Sequence, residues 1–414
     1  MRVAIVARAV YPLHGVGGLE RSVYDLARHL VREGAAVTVI TRSPSPERSA
    51  GAIHPDVRFE FVPYRTFPLA NRRGTTILDR STAYPLFGLR AGKMAAALVR
   101  EHKADIVHGF GASVLGYARQ KQSAGAPLVL NPQGLEEFGA TDPSRARLKR
   151  AFYLPLRKAV RACARAADRV IATDRALVRI VRDHLDVPAE RIRTIPNGID
   201  LETLDRIAAA DEGCRVRKEA GIAAHERVLL SVGRLEKNKG FHVLSEALAA
   251  LRAHGSSDAS ESWRWVLVGD GPYRSRIEEN IRHANLGDRV VITGRVDEAK
   301  LHAWYEAATL FVHPSLYEGS SLVTLEAMAH RKAVVATEAG GLPDKVRPGV
   351  NGWLVTPDRP DALAAALSGA LTSPAALPAM GLAGRRIVEE EFAWPILARM
   401  HLDMYRELLA RPFA

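Results

Sequence analysis

Cysteine is scarce. The chain has two in 414 residues, Cys163 and Cys214. They can form at most one bridge, which excludes a disulfide framework and points to a reducing compartment. No C-x-x-C and no clustered His/Cys spacing is present to hold a structural metal. Long apolar runs are also missing. No stretch of about 18 uninterrupted apolar residues occurs, so nothing is expected to span a bilayer and any membrane contact is peripheral. The apolar N-terminus, Met1 to Arg8, is too short for a signal peptide and Arg8 breaks it. A cytoplasmic location follows as an expectation. No fixed-period repeat of the solenoid kind is seen.

What is present is an ordinary globular composition, 47% hydrophobic and 25% charged. The length suggests two or three domains, each able to bury a full core. The net charge is +12 and unevenly spread. Residues 1–200 carry 32 basic and 18 acidic side chains, whereas residues 201–414 carry 26 and 28. The basic excess therefore belongs to the first half, and an anionic partner is expected there: a membrane surface, nucleic acid or a phosphorylated substrate.

Short β-branched runs alternate with amphipathic stretches. The runs in the first half are Arg2–Val6, Val37–Thr41, Val57–Val62, Asp105–His108, Pro127–Asn131 and Arg169–Thr173. Those in the second are Val228–Val232, Trp265–Val268, Val290–Thr293, Leu310–His313, Ala333–Thr337 and Trp353–Val355. Leu19, Val23, Leu26, Ala27 and Leu30 recur at helical spacing, as do Leu244, Ala247, Leu248 and Leu251. This alternation predicts α/β domains with parallel sheets and crossover helices. Two sets of about six strands predict two such doubly wound domains. The turn residues of Pro196-Asn-Gly-Ile-Asp200 mark a boundary, and the polar stretch 256–262 reads as a surface loop.

Four segments carry candidate chemistry. After the first strand, Gly15, Gly17 and Gly18 precede a helix whose free N–H groups suit an anion. A nicotinamide fingerprint fits poorly there, because Gly15-Val-Gly-Gly-Leu-Glu20 ends in Glu and Arg42 stands where an acid would end the second strand. After Val228–Val232, Arg234 and Lys239 sit on one loop, a planar fork and a mobile point charge for a diphosphate. After Leu310–His313, Glu318 precedes a helix and Glu326 falls one turn inside it, with Ser320 or Ser321 as N-cap. Carboxylates accept paired hydroxyls and so suit a polyol. Gly269-Asp-Gly-Pro272 and Gly294-Arg-Val296 are turns at strand C-termini, the ligand edge of open α/β sheets. Singly, each reads equally well as a turn or a solvated charge. Together they are an inventory for a nucleoside diphosphate attached to a sugar.

These residues resemble the retaining glycosyltransferases of family 4 (glycosyl transferases group 1), whose GT-B fold has two Rossmann-like domains facing across a cleft. The resemblance runs from Met1 to about Leu409. It rests first on the E-x7-E pair Glu318 and Glu326, then on Gly233-Arg234…Lys239-Gly240, and then on Gly17-Gly18. Asp105-Ile-Val-His108, Asp168–Thr173, Gly340-Gly341-Leu-Pro343 and the closing Phe392…Trp394…Tyr405 add to it.

The resemblance implies an acceptor-binding domain over residues 1–200, a nucleotide-sugar-binding domain over 201–390, and a terminal helix over 391–414 that crosses back to the first domain. It implies that Arg234 and Lys239 hold the diphosphate, Glu326 the ribose and Glu318 the donor sugar. Gly319, Ser320, Ser321 and Leu322 would offer backbone contacts. Arg295 and Val296 would lie near the base, and Gly17 and Gly18 would approach the diphosphate. The catalytic set so implied is Glu318, Arg234, Lys239 and His108. His108 reads equally as a strand-end histidine satisfied by backbone. Gln133 stands where many relatives carry a histidine, and with Glu136 and Glu137 it is expected on the acceptor side. No cofactor and no metal is implied, the cations replacing a divalent ion. Retention of anomeric configuration is implied, with a saccharide or lipid-linked acceptor from cell-envelope, lipopolysaccharide or other polysaccharide synthesis. A nucleotide-sugar epimerase of the same fold and a non-catalytic nucleotide-sugar-binding partner remain alternatives.

The basic residues of the first half gather at Arg145, Arg147, Lys149, Arg150, Arg157, Lys158, Arg161 and Arg165, with no acid among them, and at Arg72-Arg73 near Phe67 and Leu69. Such a segment, 145–165, reads as a peripheral contact with an anionic membrane at the inner face, or equally as a solvated helix face. Nucleic acid is not expected, since no stacking platform or zinc module accompanies it.

Overall fold

The structure, a computed structural model, describes residues 1–15, 17–44, 54–66, 75–133, 135–138, 152–207, 210–254 and 262–410. Arg72, Arg73, Arg145, Arg147, Lys149 and Arg150, with Phe67 and Leu69 beside them, lie outside the described residues, as does the polar stretch 256–261. The chain forms two compact units. One comprises Met1–Asn197 with Trp394–Ala414, and the other Gly198–Ala393.

The first unit is built on a seven-stranded parallel sheet in the order β3-β2-β1-β4-β5-β6-β7. Its strands are β1 (Arg2–Val6), β2 (Ala36–Arg42), β3 (Val57–Val62), β4 (Ile106–Phe110), β5 (Leu128–Asn131), β6 (Arg169–Ala172) and β7 (Ile192–Thr194). All five residues of β4 are buried, as befits a central parallel strand covered on both faces. One face is covered by α1 (Gly18–Arg32), whose Val23, Leu26, Ala27 and Leu30 are buried as their spacing predicts. The other carries α2 (Thr75–Ser81), α3 (Ala83–Arg100) and α4 (Leu154–Ala166).

The second unit has a six-stranded parallel sheet in the order β10-β9-β8-β11-β12-β13. Its strands are β8 (Arg227–Val232), β9 (Trp263–Val268), β10 (Val290–Gly294), β11 (Leu310–His313), β12 (Ala333–Thr337) and β13 (Gly352–Val355). Three of its helices bear on the site: α5 (Phe241–His254), α6 (Glu298–Ala307) and α7 (Leu322–Ala329). Leu244, Ala247, Leu248 and Leu251 of α5 are buried. Glu391, Phe392 and Ala393 stay with this unit. Arg347 grips the Glu391 carboxylate at 2.6 Å, Phe392 is buried in its core, and Ala393 pairs with Ile199.

The chain returns to the first unit as α8 (Trp394–Leu409). Trp394, Leu397, Leu402, Tyr405 and Leu408 pack with Val3, Ile5 and Leu26 on the α1 face of the first sheet. Each fully buried Leu or Phe-sized side chain contributes about 1.5–3 kcal/mol, so α8 is an integral layer of that unit. Among the described residues no single helix is long and apolar enough to cross a membrane.

Candidate functional site

In each sheet the strand order reverses once, between β1 and β4 in the first and between β8 and β11 in the second. Loops leaving neighbouring strands at such a point run in opposite directions and leave a crevice at the strand C-termini, where α/β sheets take ligands. The second unit fills this crevice with chemistry.

Two loops meet there. The loop after β8 ends at Gly240, whose φ is +68, and a Cβ at this position would overlap the Pro314 carbonyl oxygen. Only glycine allows both. The Asn238 carbonyl then accepts the Leu316 N–H at 2.8 Å, joining the β8 loop to the β11 loop. From the other side Gly340, φ +54, packs so closely that a Cβ would overlap the Glu318 carbonyl oxygen. The backbone around Glu318 is thus clamped by two glycine contacts.

Within the clamp, Glu318 Oε2 accepts from Lys239 Nζ at 2.6 Å, from His313 Nε2 at 2.8 Å and from Ser315 Oγ at 3.1 Å. Burial alone raises the Glu318 carboxyl, but the Lys239 charge and the His313 N–H outweigh it and hold it well below the usual carboxylate range. His313 is itself buried, which pushes it below its ordinary value against the pull of Glu318. It is a neutral imidazole that donates through Nε2, and its buried Nδ1 has no hydrogen-bond partner. The product is an ionised, oriented carboxylate beside a half-buried ammonium. His313 and Ser315 escape sequence reasoning as site residues. The one available signal is that His313 closes an otherwise apolar strand, Leu310–His313, at its ligand edge.

Glu326 lies on α7, half-buried, and its Oε2 accepts from the Tyr305 hydroxyl at 2.8 Å. Ser321 occupies the N-cap position of α7 without bonding a helix N–H. Its Oγ instead receives the Thr324 hydroxyl at 3.0 Å. Gly319 and Ser320 lie in the turn before it. Around the same sheet edge, Gly269 N–H donates to Gly294 O at 2.9 Å and Leu235 N–H to Asp270 O at 3.1 Å, so the β8, β9 and β10 loops are bonded to one another. Arg295 is exposed and Val296 half-buried on this rim.

Arg234 is not drawn into the Glu318 cluster. It is 71% exposed and bonds Glu236 at 2.7 Å. In the first unit Gly17 is the N-cap of α1 and Gly18 its first residue, and the Glu20 carboxylate lies against Gly17. Gln133 is half-buried at the end of β5, its backbone held at φ 65 by a 3.1 Å bond from its N–H to Asn131 Oδ1. Glu137 is buried, and the Glu136 side chain lies outside the described residues.

His108 requires correction. It is the third of five residues in β4, not a strand-end residue. It is fully buried, its Nδ1 is 2.6 Å from the Tyr405 hydroxyl of α8, and its ring stacks on Phe110. Burial drives its pKa well below the ordinary value. A neutral imidazole sealed beneath a helix cannot meet a substrate, so His108 is a packing residue. The basic stripe is also partly consumed by the fold. Arg157 and Arg161 lie over the Phe138 ring at 5.0 and 5.3 Å.

Residues 16–203 match the family model for Glycosyltransferase Family 4, and residues 215–386 that for Glycosyl transferases group 1. The chain is 29% identical to the alpha-maltose-1-phosphate synthase of Mycobacterium tuberculosis, over 99% of this chain and 100% of that protein. It is 30% identical to a GDP-mannose-dependent alpha-mannosyltransferase of Mycolicibacterium smegmatis, over 99% of this chain and 98% of that one. Among solved structures, sucrose-phosphate synthase of Thermosynechococcus elongatus superposes with a TM-score of 0.78 at 26% identity, covering 99% of both chains. With its two parallel Rossmann-like sheets and the Glu318–Glu326 pair at the reversal point of the second, the chain belongs to the family 4 glycosyltransferases and is a glycosyltransferase of GT-B fold.

Proposed function

We propose that the protein is a retaining glycosyltransferase that moves a sugar from a nucleoside-diphosphate donor, bound in the second unit, to a saccharide or lipid-linked acceptor bound by the first. The observation that carries this reading is the Lys239–Glu318 pair at the β8/β11 reversal, with Glu326 on the helix that follows. Breaking a glycosyl–diphosphate bond places negative charge on the departing oxygen. Lys239 sits in the crevice to neutralise it, and Arg234, exposed on the same loop, closes on the diphosphate from solvent. Glu318, kept ionised by Lys239 and His313, can only accept hydrogen bonds, so it holds sugar hydroxyls and is not a proton donor at neutral pH. Glu326 accepts the ribose hydroxyls, the backbone of 319–322 lines the donor, and Arg295 and Val296 border the base. In the first unit, half-buried Gln133 hydrogen-bonds the acceptor.

The test is release of nucleoside diphosphate from a panel of nucleotide sugars, in the presence of saccharide acceptors. Turnover with one donor and its loss in Glu326→Ala are expected. No turnover with any donor, or an unaffected Glu326→Ala, overturns the reading. Because protein cations supply the charge, turnover is expected to survive a chelator unchanged, and loss on chelation would sink the metal-independent part.

A membrane-surface acceptor is part of the proposal. It is supported by the basic excess of residues 1–200 and by an apolar exposure at the start of α4, where Phe152 is 52% and Leu154 47% exposed beside exposed Lys158.

A further inference from the structure

Glu326 stands on α7 with a long side chain of three rotatable bonds, half-open to solvent. A carboxylate so placed grips a diol only if its plane is held. The holding group comes from α6. Tyr305 is fully buried, and its hydroxyl lies 2.8 Å from Glu326 Oε2 and 3.2 Å from the Val323 carbonyl. A phenol has one proton, and the shorter contact, to the carboxylate, takes it. Burial first and Glu326 second push the Tyr305 phenol well above its ordinary value, so it stays a donor throughout the working range.

The tyrosine ring is in turn fixed from behind. It stacks on His330, centroids 5.2 Å apart and planes at 13°. The His330 side chain is completely buried, and its two nitrogens are both engaged, Nδ1 with Glu306 Oε1 at 2.5 Å and Nε2 with His302 Nδ1 at 2.7 Å. The His330 bond first of all, against the opposing effect of burial, holds the Glu306 carboxyl below its ordinary value, so Glu306 is the acceptor and Nδ1 carries the proton. His330 is also the C-cap residue of α7, its N–H bonded to the Glu326 carbonyl. The helix that carries Glu326 and the ring that orients it are therefore locked to one another.

We propose that Tyr305 is the positioning residue for Glu326, and that the Glu306–His330–His302 chain behind it makes this unit discriminate ribose from deoxyribose in the donor nucleotide. This rests on the reading of Glu326 as the ribose-binding carboxylate. Tyr305→Phe keeps the ring and its stack and removes one hydrogen bond that orients Glu326 rather than touching the ligand, a change of the size of an ordinary net hydrogen bond, about five- to tenfold in affinity.

The test is calorimetric binding of UDP, GDP and ADP to the full chain, followed by the 2′-deoxy form of whichever binds most tightly. Tyr305→Phe is expected to weaken the ribonucleotide five- to tenfold, leave the deoxynucleotide nearly unchanged, and raise donor KM with kcat retained. Glu306→Gln, which loosens the wall without touching Glu326, is expected to shift binding the same way by a smaller factor, and it keeps the question answerable if Tyr305→Phe fails to fold. If Glu326→Ala leaves affinity and discrimination intact, or wild type binds none of the three, the ribose reading fails. If Glu326→Ala abolishes discrimination while a folded Tyr305→Phe matches wild type, the positioning role fails alone. Equal weakening of both nucleotides by Tyr305→Phe also overturns it, because that is the mark of general loosening.

Discussion

Glu318 shares one oxygen among Lys239, His313 and Ser315, and its consequences are clearest when one partner is removed. Lys239→Met leaves a largely buried carboxylate without its cation, which costs at most about 3–5 kcal/mol, the value for a fully buried pair. It also takes away the proposed counter-charge for the departing diphosphate, worth about 10²–10³ in rate for a single preorganised donor. Urea denaturation and donor turnover are both expected to fall, and a variant that keeps wild-type turnover would remove Lys239 from the mechanism. The pH dependence has a definite sign. The Glu318 carboxyl lies lower in the folded chain than its ordinary value of 4.5, so its contribution to stability is full above about pH 4.5 and is lost as the pH falls toward the depressed folded value. Glu318→Gln lacks this slope. The stability difference between wild type and Glu318→Gln should therefore shrink on going from pH 7 down through the carboxylate range, and a constant gap in pH-resolved urea melts would contradict the assigned ionisation.

At the scale of elements, the contact between β4 and α8 gives a prediction that separates packing from catalysis. Tyr405→Phe strips the hydroxyl that His108 Nδ1 faces and leaves a buried polar atom unmet, at about 1–3 kcal/mol. A lower urea midpoint with donor kcat retained is expected, and a collapse of kcat in a folded variant would return His108 to the active site. Gly340→Ala tests the loop clamp. It forces a Cβ against the Glu318 carbonyl at a φ that side chains rarely adopt, with a cost of about 1–3 kcal/mol and a raised donor KM. These two cases also mark what sequence makes legible. Apolar periodicity located twelve of the thirteen strands among the described residues, because buried parallel strands are largely apolar, as β12 is. It missed β7, Ile192–Thr194, a short edge strand with two exposed residues and hence no apolar signature. It ended β4 at His108 when the strand runs to Phe110, and those two residues turn a reachable histidine into a sealed one. The Glu318 and Lys239 positions were legible because charged residues in glycine-bounded loops follow apolar runs, and Glu326 because of its E-x7-E spacing from Glu318 on the helix that follows. Tyr305 and His313 were not, because a buried polar residue inside a helix or strand looks like its apolar neighbours until its partner is known, and Ser315 was not, because a small loop serine looks like any other turn residue.

At the scale of the whole molecule, the charge division remains the feature to explain. The 32 basic and 18 acidic residues of 1–200 stand against 26 and 28 in the rest, and the units part at Asn197 and Gly198, so the excess belongs to one unit. Some of it serves the fold: Arg157 and Arg161 are spent on Phe138, and Arg2 on Asp105. What remains near α4 is mixed. Phe152 and Leu154 are exposed, and Ser81 of α2 bonds the Phe152 carbonyl at 2.8 Å, bringing α2, with Leu78 38% exposed, to the same region. Exposed apolar groups with a cation beside them suit an anionic lipid surface, where each basic residue contributes about 1 kcal/mol and the attraction fades within a Debye length of about 10 Å at 0.1 M salt. Sedimentation with vesicles should therefore require anionic lipid and weaken as salt is raised from about 0.05 to 0.5 M. The double change Phe152→Ser with Leu154→Ser should release the protein at low salt, while turnover on a water-soluble acceptor stays at the wild-type rate. Equal binding to neutral vesicles would make the charge irrelevant. No binding to either kind would leave the basic excess to an anionic acceptor alone, and the lipid surface would have to be abandoned.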